Sequence, residues 1–123
     1  MNKESVDVLV IDDDADICIM VGAILKFAGY KVQQLSAVDK LAVTLDSVEP
    51  KVILMDMLLS GHDGRDICTQ LKNNEAQNHI HVIMMSAHPD AEKSCREAGA
   101  NDFLAKPFDV DNFLAKVHLL LNA

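Results

Sequence analysis

Three carboxylates in a row close an apolar run. In VLVIDDDADI, the stretch Val8 to Ile11 stops at Asp12, Asp13 and Asp14. Two like charges about 5 Å apart repel by about 3 kcal/mol at an effective dielectric of 20. Solvent, a helix end or a bound cation must therefore make the arrangement tolerable. Three more apolar stretches end on polar residues in the same way: Asp56 after VILM, Ser86 after VIMM and Lys106 after DFLA. Such a set has a definite chemistry open to it. Carboxylates hold hard cations such as Mg²⁺. A carboxylate can also be the nucleophile toward a phosphoryl group when its neighbours supply position and positive charge.

The elements that must position these residues alternate between two kinds. Val6–Ile11, Lys31–Leu35, Val52–Met55, Val82–Met85 and Phe103–Ala105 are short and, apart from the more polar Lys31–Leu35, mostly apolar. Continuous apolar runs without polar alternation are strands buried on both faces of a parallel sheet. Between them lie helical patterns. Ile17, Met20, Val21, Ile24, Leu25 and Ala28 share one stripe, and Gly29 supplies a stop. Ser36-Ala37-Val38-Asp39 resembles a capping box opening a helix that turns Val38, Leu41, Leu45 and Val48 inward, with Pro50 beyond its end. Further helices are expected over Gly64–Lys72, over Asp90–Ala98 closed by Gly99, and after Asp109, where Val110, Phe113, Leu114, Val117 and Leu121 face inward. The expected architecture is a doubly wound α/β fold, a five-stranded parallel sheet between two layers of helices. All four polar strand ends then meet at the carboxyl edge of the sheet, where such folds bind ligands.

Composition narrows the function. At 123 residues the chain is expected to be one domain, residues 1–123. A net charge of −8, scattered Lys and Arg residues and no Trp argue against a nucleic-acid surface. No apolar run reaches membrane-spanning length and no signal-peptide pattern opens the chain. Cys18, Cys68 and Cys95 fit neither a zinc spacing nor a disulfide framework, which is the pattern of reduced thiols in a cytoplasmic protein. The Met1–Ser5 leader favours a true N-terminus, and no output domain is expected.

IDD after the first strand, MDMLLSGHDG after the third, SA after the fourth and GANDFLAKPF through the fifth occur together and in order. With these pieces the whole chain resembles the receiver domain of bacterial response regulators. The resemblance implies a flavodoxin-like fold with strand order 2-1-3-4-5. It implies Asp56 as phosphoryl acceptor and Mg²⁺ held by Asp12, Asp13, Asp56 and the backbone carbonyl of Leu58. Ser86 and Lys106 are implied to contact the phosphoryl oxygens, and Phe103 to be the aromatic switch residue. The implied partners are a sensor histidine kinase or histidine phosphotransfer protein, and a downstream target on the surface of the fourth helix, fifth strand and fifth helix. Leu58 and His88 occupy the positions that tune phosphoryl lifetime. Such a chain is a phosphoacceptor signalling domain and not an enzyme.

Local chemistry offers plainer roles for several of these residues. Asp14 stands where a helix N-cap would, with Asp16 in the first turn. Asp63-Gly64 reads as a turn and helix start. Ser86 could only cap the fourth helix, and Phe103 could only fill the core. His79 and His81 alternate on the fourth strand, but two ligands without a third make a poor zinc site. Ser60 replaces the proline common at that position, which puts the rigidity of the loop in question, and Lys106-Pro107 resembles the family's cis peptide. The competing readings are a phosphorylation-independent receiver-like interaction module, a phosphatase with an aspartyl nucleophile and a flavodoxin. The full set of Asp12, Asp13, Asp56, Ser86 and Lys106 argues against the first. The second lacks an Asp at position 58, and the third would bring a phosphate against carboxylates.

Overall fold

The computed structural model describes residues 3–123; Met1 and Asn2 of the leader lie outside them. Five parallel strands form one sheet: β1 (Glu4–Ile11), β2 (Val32–Leu35), β3 (Val48–Asp56), β4 (His81–Ser86) and β5 (Asp102–Ala105). Their spatial order is 2-1-3-4-5, as expected. The helices are α1 (Ala15–Phe27), α2 (Leu41–Ser47), α3 (Gly64–Lys72), α4 (Glu92–Glu97) and α5 (Val110–Leu121), with single 3₁₀ turns leading into α2 and α4.

Alternate residues of each strand feed two separate cores. Leu9, Ile11, Ile53, Met55, Val82, Met84 and Phe103 pack with Leu41 and Leu45 of α2, Ile67 and Leu71 of α3, and Cys95 of α4. Val8, Val10, Val52, Leu54, Ile83, Met85 and Leu104 pack with Val21 and Leu25 of α1 and with Phe113 and Val117 of α5. Burial on both faces is why the inner strands carry long apolar runs, each large side chain contributing about 1.5–3 kcal/mol, whereas the half-buried edge strand β2 keeps Gln33 and Gln34. The strand order reverses between β1 and β3, and this puts the carboxyl ends of those two strands at the crevice.

Three local expectations are corrected. The second helix does not carry Val48 inward: it ends at Ser47, and Val48 opens β3 by pairing with Glu4. Glu49 precedes Pro50, and a residue before proline is pushed to extended backbone, so the helix must stop there. Pro50 is tolerated within β3 because β4 begins pairing only at Val52, leaving β1 as the sole neighbour at that level. The Ser36 capping box does not form, since the 3₁₀ turn starts after Ala37 with no side-chain cap. His79 falls before β4, where it contacts Glu49, so the two histidines do not alternate on one strand. A short antiparallel ribbon, Leu58–Leu59 with His62–Asp63, was not anticipated.

Candidate functional site

The loop after β1 is built by its own side chains. Asp14 caps α1, its carboxylate accepting from the backbone N–H of Asp16 at 2.9 Å and of Ile17 at 3.3 Å. One of the three carboxylates is therefore explained by a helix end. Asp12 is not: it is 1% exposed, and its Oδ1 accepts the Asp14 N–H at 3.0 Å.

The compensating charge comes from the far end of the chain. Lys106 Nζ donates to Asp12 Oδ2 at 3.1 Å and to Asp56 Oδ1 at 3.0 Å, bridging the ends of β1 and β3. Its backbone N–H donates to the Ser86 carbonyl at 2.8 Å, and the Lys106–Pro107 peptide is cis. Next to Asp56, Met57 N–H donates to the Met85 carbonyl at 2.8 Å, and Gly64 N–H to the Met57 carbonyl at 2.7 Å. A side chain at Gly64 would place its Cβ 2.6 Å from the Asp56 carbonyl oxygen, so only glycine lets α3 start this close. Asp63 caps that helix, accepting the Arg65 N–H at 2.9 Å.

The charges set one another. Burial pushes the Asp56 carboxyl above its ordinary range; Lys106 opposes this, and Asp12 and Asp13 reinforce it. Burial pulls the Lys106 amine down, but the hydrogen bond and charge of Asp56, together with Asp12, outweigh it and the net shift is upward. Asp13 is held below the usual carboxylate range chiefly by its hydrogen bond from the Ser60 hydroxyl.

Asp12, Asp13 and Asp56 can each offer an oxygen so that all three lie within 4.8 Å of one another, the only such ligand group among the described residues. An all-oxygen, all-anionic donor set of this kind suits a hard divalent cation. Of the other residues expected here, Ser86 is buried, with its Oγ accepting the His88 N–H at 3.0 Å; it does not cap a helix. Phe103 is buried on the α2–α4 side of the sheet. Leu58 and His88 stand exposed at the rim. One participant was missed. Ser60 donates both its N–H and its hydroxyl to Asp13 Oδ2, at 2.9 and 2.8 Å. The replacement of a common proline was its only sequence signal.

The response regulator receiver domain family matches residues 8–118. The chain belongs to that family. Among relatives, this receiver is 40% identical over 121 residues to the DNA-binding dual master transcriptional regulator RpaA of Synechocystis sp., covering 93% of this chain and 48% of that protein. It is 28% identical to the phosphate regulon transcriptional regulatory protein PhoB of Pseudomonas aeruginosa, covering 93% of this chain and 51% of that one. The chain thus spans about half the length of the curated relatives it matches. Solved structures are matched over nearly their full length. A putative response regulator from Chloroflexus aurantiacus superposes with a TM-score of 0.89 at 27% identity, covering 99% of this chain and 100% of that one. The receiver domain of NtrX from Brucella abortus gives 0.86 at 27% identity, with 95% and 99% covered. No helix among the described residues is long and apolar enough to cross a membrane.

Proposed function

We propose that this receiver accepts a phosphoryl group on Asp56 from the phosphohistidine of a sensor histidine kinase or histidine phosphotransfer protein. The observation that carries the proposal is the Asp12–Lys106–Asp56 bridge beside Asp13: a half-buried carboxylate with a cation at 3.0 Å and an acidic pair within reach. An Asp56 oxygen attacks phosphorus while the P–N bond breaks, its electron pair leaving on the donor imidazole. The product is an acyl phosphate on the chain itself. Asp12, Asp13, Asp56 and the backbone carbonyl of Leu58 would hold Mg²⁺, whose charge when bound offsets that of the phosphoryl oxygens. Lys106 turns from the carboxylates toward the new oxygens, the Ser86 hydroxyl donates to one of them, and Phe103 moves into the space Ser86 leaves. The chain is in this reading a phosphoacceptor, promoting only its own phosphorylation and slow dephosphorylation.

A phosphoryl group adds roughly −1.5 to −2 charge and three acceptor oxygens, enough to bias a two-state surface. The downstream target is assigned to the α4–β5–α5 face, where Arg96 and Lys116 both bind Asp102 Oδ1 at 3.0 Å and Phe108 packs on Phe113. The donor is assigned to an apolar groove of about 490 Å³ lined by Ile17, Met20, Ile24, Pro107 and Val110, which also includes Lys106. Lys106 joins this groove to Asp56, so a donor helix seated there would lie beside the acceptor. The three reduced, buried thiols and such donors fit a cytoplasmic protein. A net charge of −8 disfavours contact with a polyanion such as nucleic acid. The single-domain reading, residues 1–123, rests on one sheet with both faces covered.

The test is labelling with acetyl phosphate, with and without Mg²⁺, read by intact mass. Mg²⁺-dependent modification of the wild type that is lost in Asp56→Asn supports the proposal. A folded protein that takes no phosphoryl group refutes it.

A further inference from the structure

We infer that Ser60 is the positioning residue for Asp13: by clasping one carboxylate oxygen with two donors, it presents the other to a divalent cation and sets the affinity of the site. The inference rests on the cation site proposed above and concerns a residue outside its ligand set.

Asp13 and Ser60 are both exposed. An exposed aspartate samples several rotamers, so a ligand at this position must lose that freedom when a cation binds. The structure removes the freedom beforehand. Ser60 N–H and Oγ–H both end on Oδ2, at 2.9 and 2.8 Å, and Oδ1 takes no hydrogen bond from another residue among those described. Hydrogen bonds to an ionised oxygen are the stronger kind. Two of them from one residue fix both the direction and the roll of the carboxylate. The partners lie 47 residues apart, so the clasp also ties the loop after β1 to the ribbon after Asp56. Outer partners that orient metal ligands typically govern affinity by 10–100-fold.

The turn geometry makes the clasp separable from the fold. Leu59 pairs with His62, so Ser60 and Gly61 are the two central residues of the ribbon's turn. Gly61 has φ +75°, and no non-glycine residue among those described has a positive φ. Ser60 thus occupies the first central position of a turn with only its second residue left-handed, where proline's fixed φ is favoured. Ser60→Pro preserves that backbone while deleting both donors. Ser60→Ala deletes only the hydroxyl, and Ser60→Thr keeps both.

The experiment is a MgCl₂ titration of the unphosphorylated wild type and the three variants, followed by backbone amide shifts, with β2 and α5 resonances reporting the fold. Ser60→Pro is expected to weaken Mg²⁺ binding by about tenfold or more, Ser60→Ala by less, and Ser60→Thr to match the wild type. If folded Ser60→Pro binds Mg²⁺ as tightly as the wild type, or more tightly, the inference is overturned, because Ser60 is then a bystander or a competitor. If the wild type itself shows no saturable shifts around Asp12, Asp13 and Asp56, the cation site fails as a whole, and the inference with it. The first outcome leaves that site standing; the second does not.

Discussion

Asp56→Asn should stabilise the cation-free protein. Oxygens of Asp12 and Asp13 within 4.8 Å of Asp56 each cost about 3.5 kcal/mol at an effective dielectric of 20, and Lys106 at 3.0 Å offsets about 5.5 kcal/mol. The charges come within about 1.5 kcal/mol of cancelling, and burial, the first cause of the raised Asp56 pKa, sets the sign against the ionised carboxylate. An amide carries none of that charge and can still hydrogen-bond Lys106. For a chain of this size the gain corresponds to about 5 °C in Tm. The assay is thermal unfolding in EDTA and again in excess MgCl₂. Excess Mg²⁺ should narrow or reverse the difference, since the wild type gains binding energy that the variant, short one ligand, does not. The pH dependence has a fixed sign. Asp56 titrates higher folded than unfolded, so its penalty is complete above the folded pKa and fades as the pH falls and the folded state takes up the proton. The advantage of Asp56→Asn should shrink toward acid. A variant no more stable than the wild type in EDTA at neutral pH would refute the charge balance drawn here.

Three further outcomes follow from particular contacts. Gly64→Ala would bring a Cβ within 2.6 Å of the Asp56 carbonyl and 3.1 Å of Met57 backbone, so it should cost about 1–3 kcal/mol in chemical denaturation and slow phosphorylation by displacing Asp56. Leu58 is exposed and cannot hydrogen-bond an attacking water, so the phosphoryl group should be long-lived and Leu58→Asn should shorten its half-life; an unchanged decay of the labelled mass would count against this. Beryllofluoride with Mg²⁺ should move the amide shifts of Arg96, Asp102 and Lys116; shifts confined to the Asp56 loop would remove the α4–β5–α5 face from the switch.

The inner strands were legible in the sequence because burial on both faces leaves little polar alternation, and the carboxyl-edge residues followed from where those runs stop. The Asp14 cap and the helix start at Asp63-Gly64 were legible too, since the bonds that form them reach only two or three residues along the chain. What the sequence could not show is whatever depends on chain closure. Val48 belongs to a strand because Glu4 lies beside it, and the Ser36 motif lost to a turn that needed no side-chain cap. Lys106 neutralises Asp12 from 94 residues away and Asp56 from 50. Ser60 looked like a missing proline until the ribbon set its two donors against Asp13. Residue type and local spacing determine which groups arrive at one edge of the sheet. Only the folded chain decides which of them touch, because a hydrogen bond or an ion pair acts over about 3 Å and sequence separation carries no information at that scale.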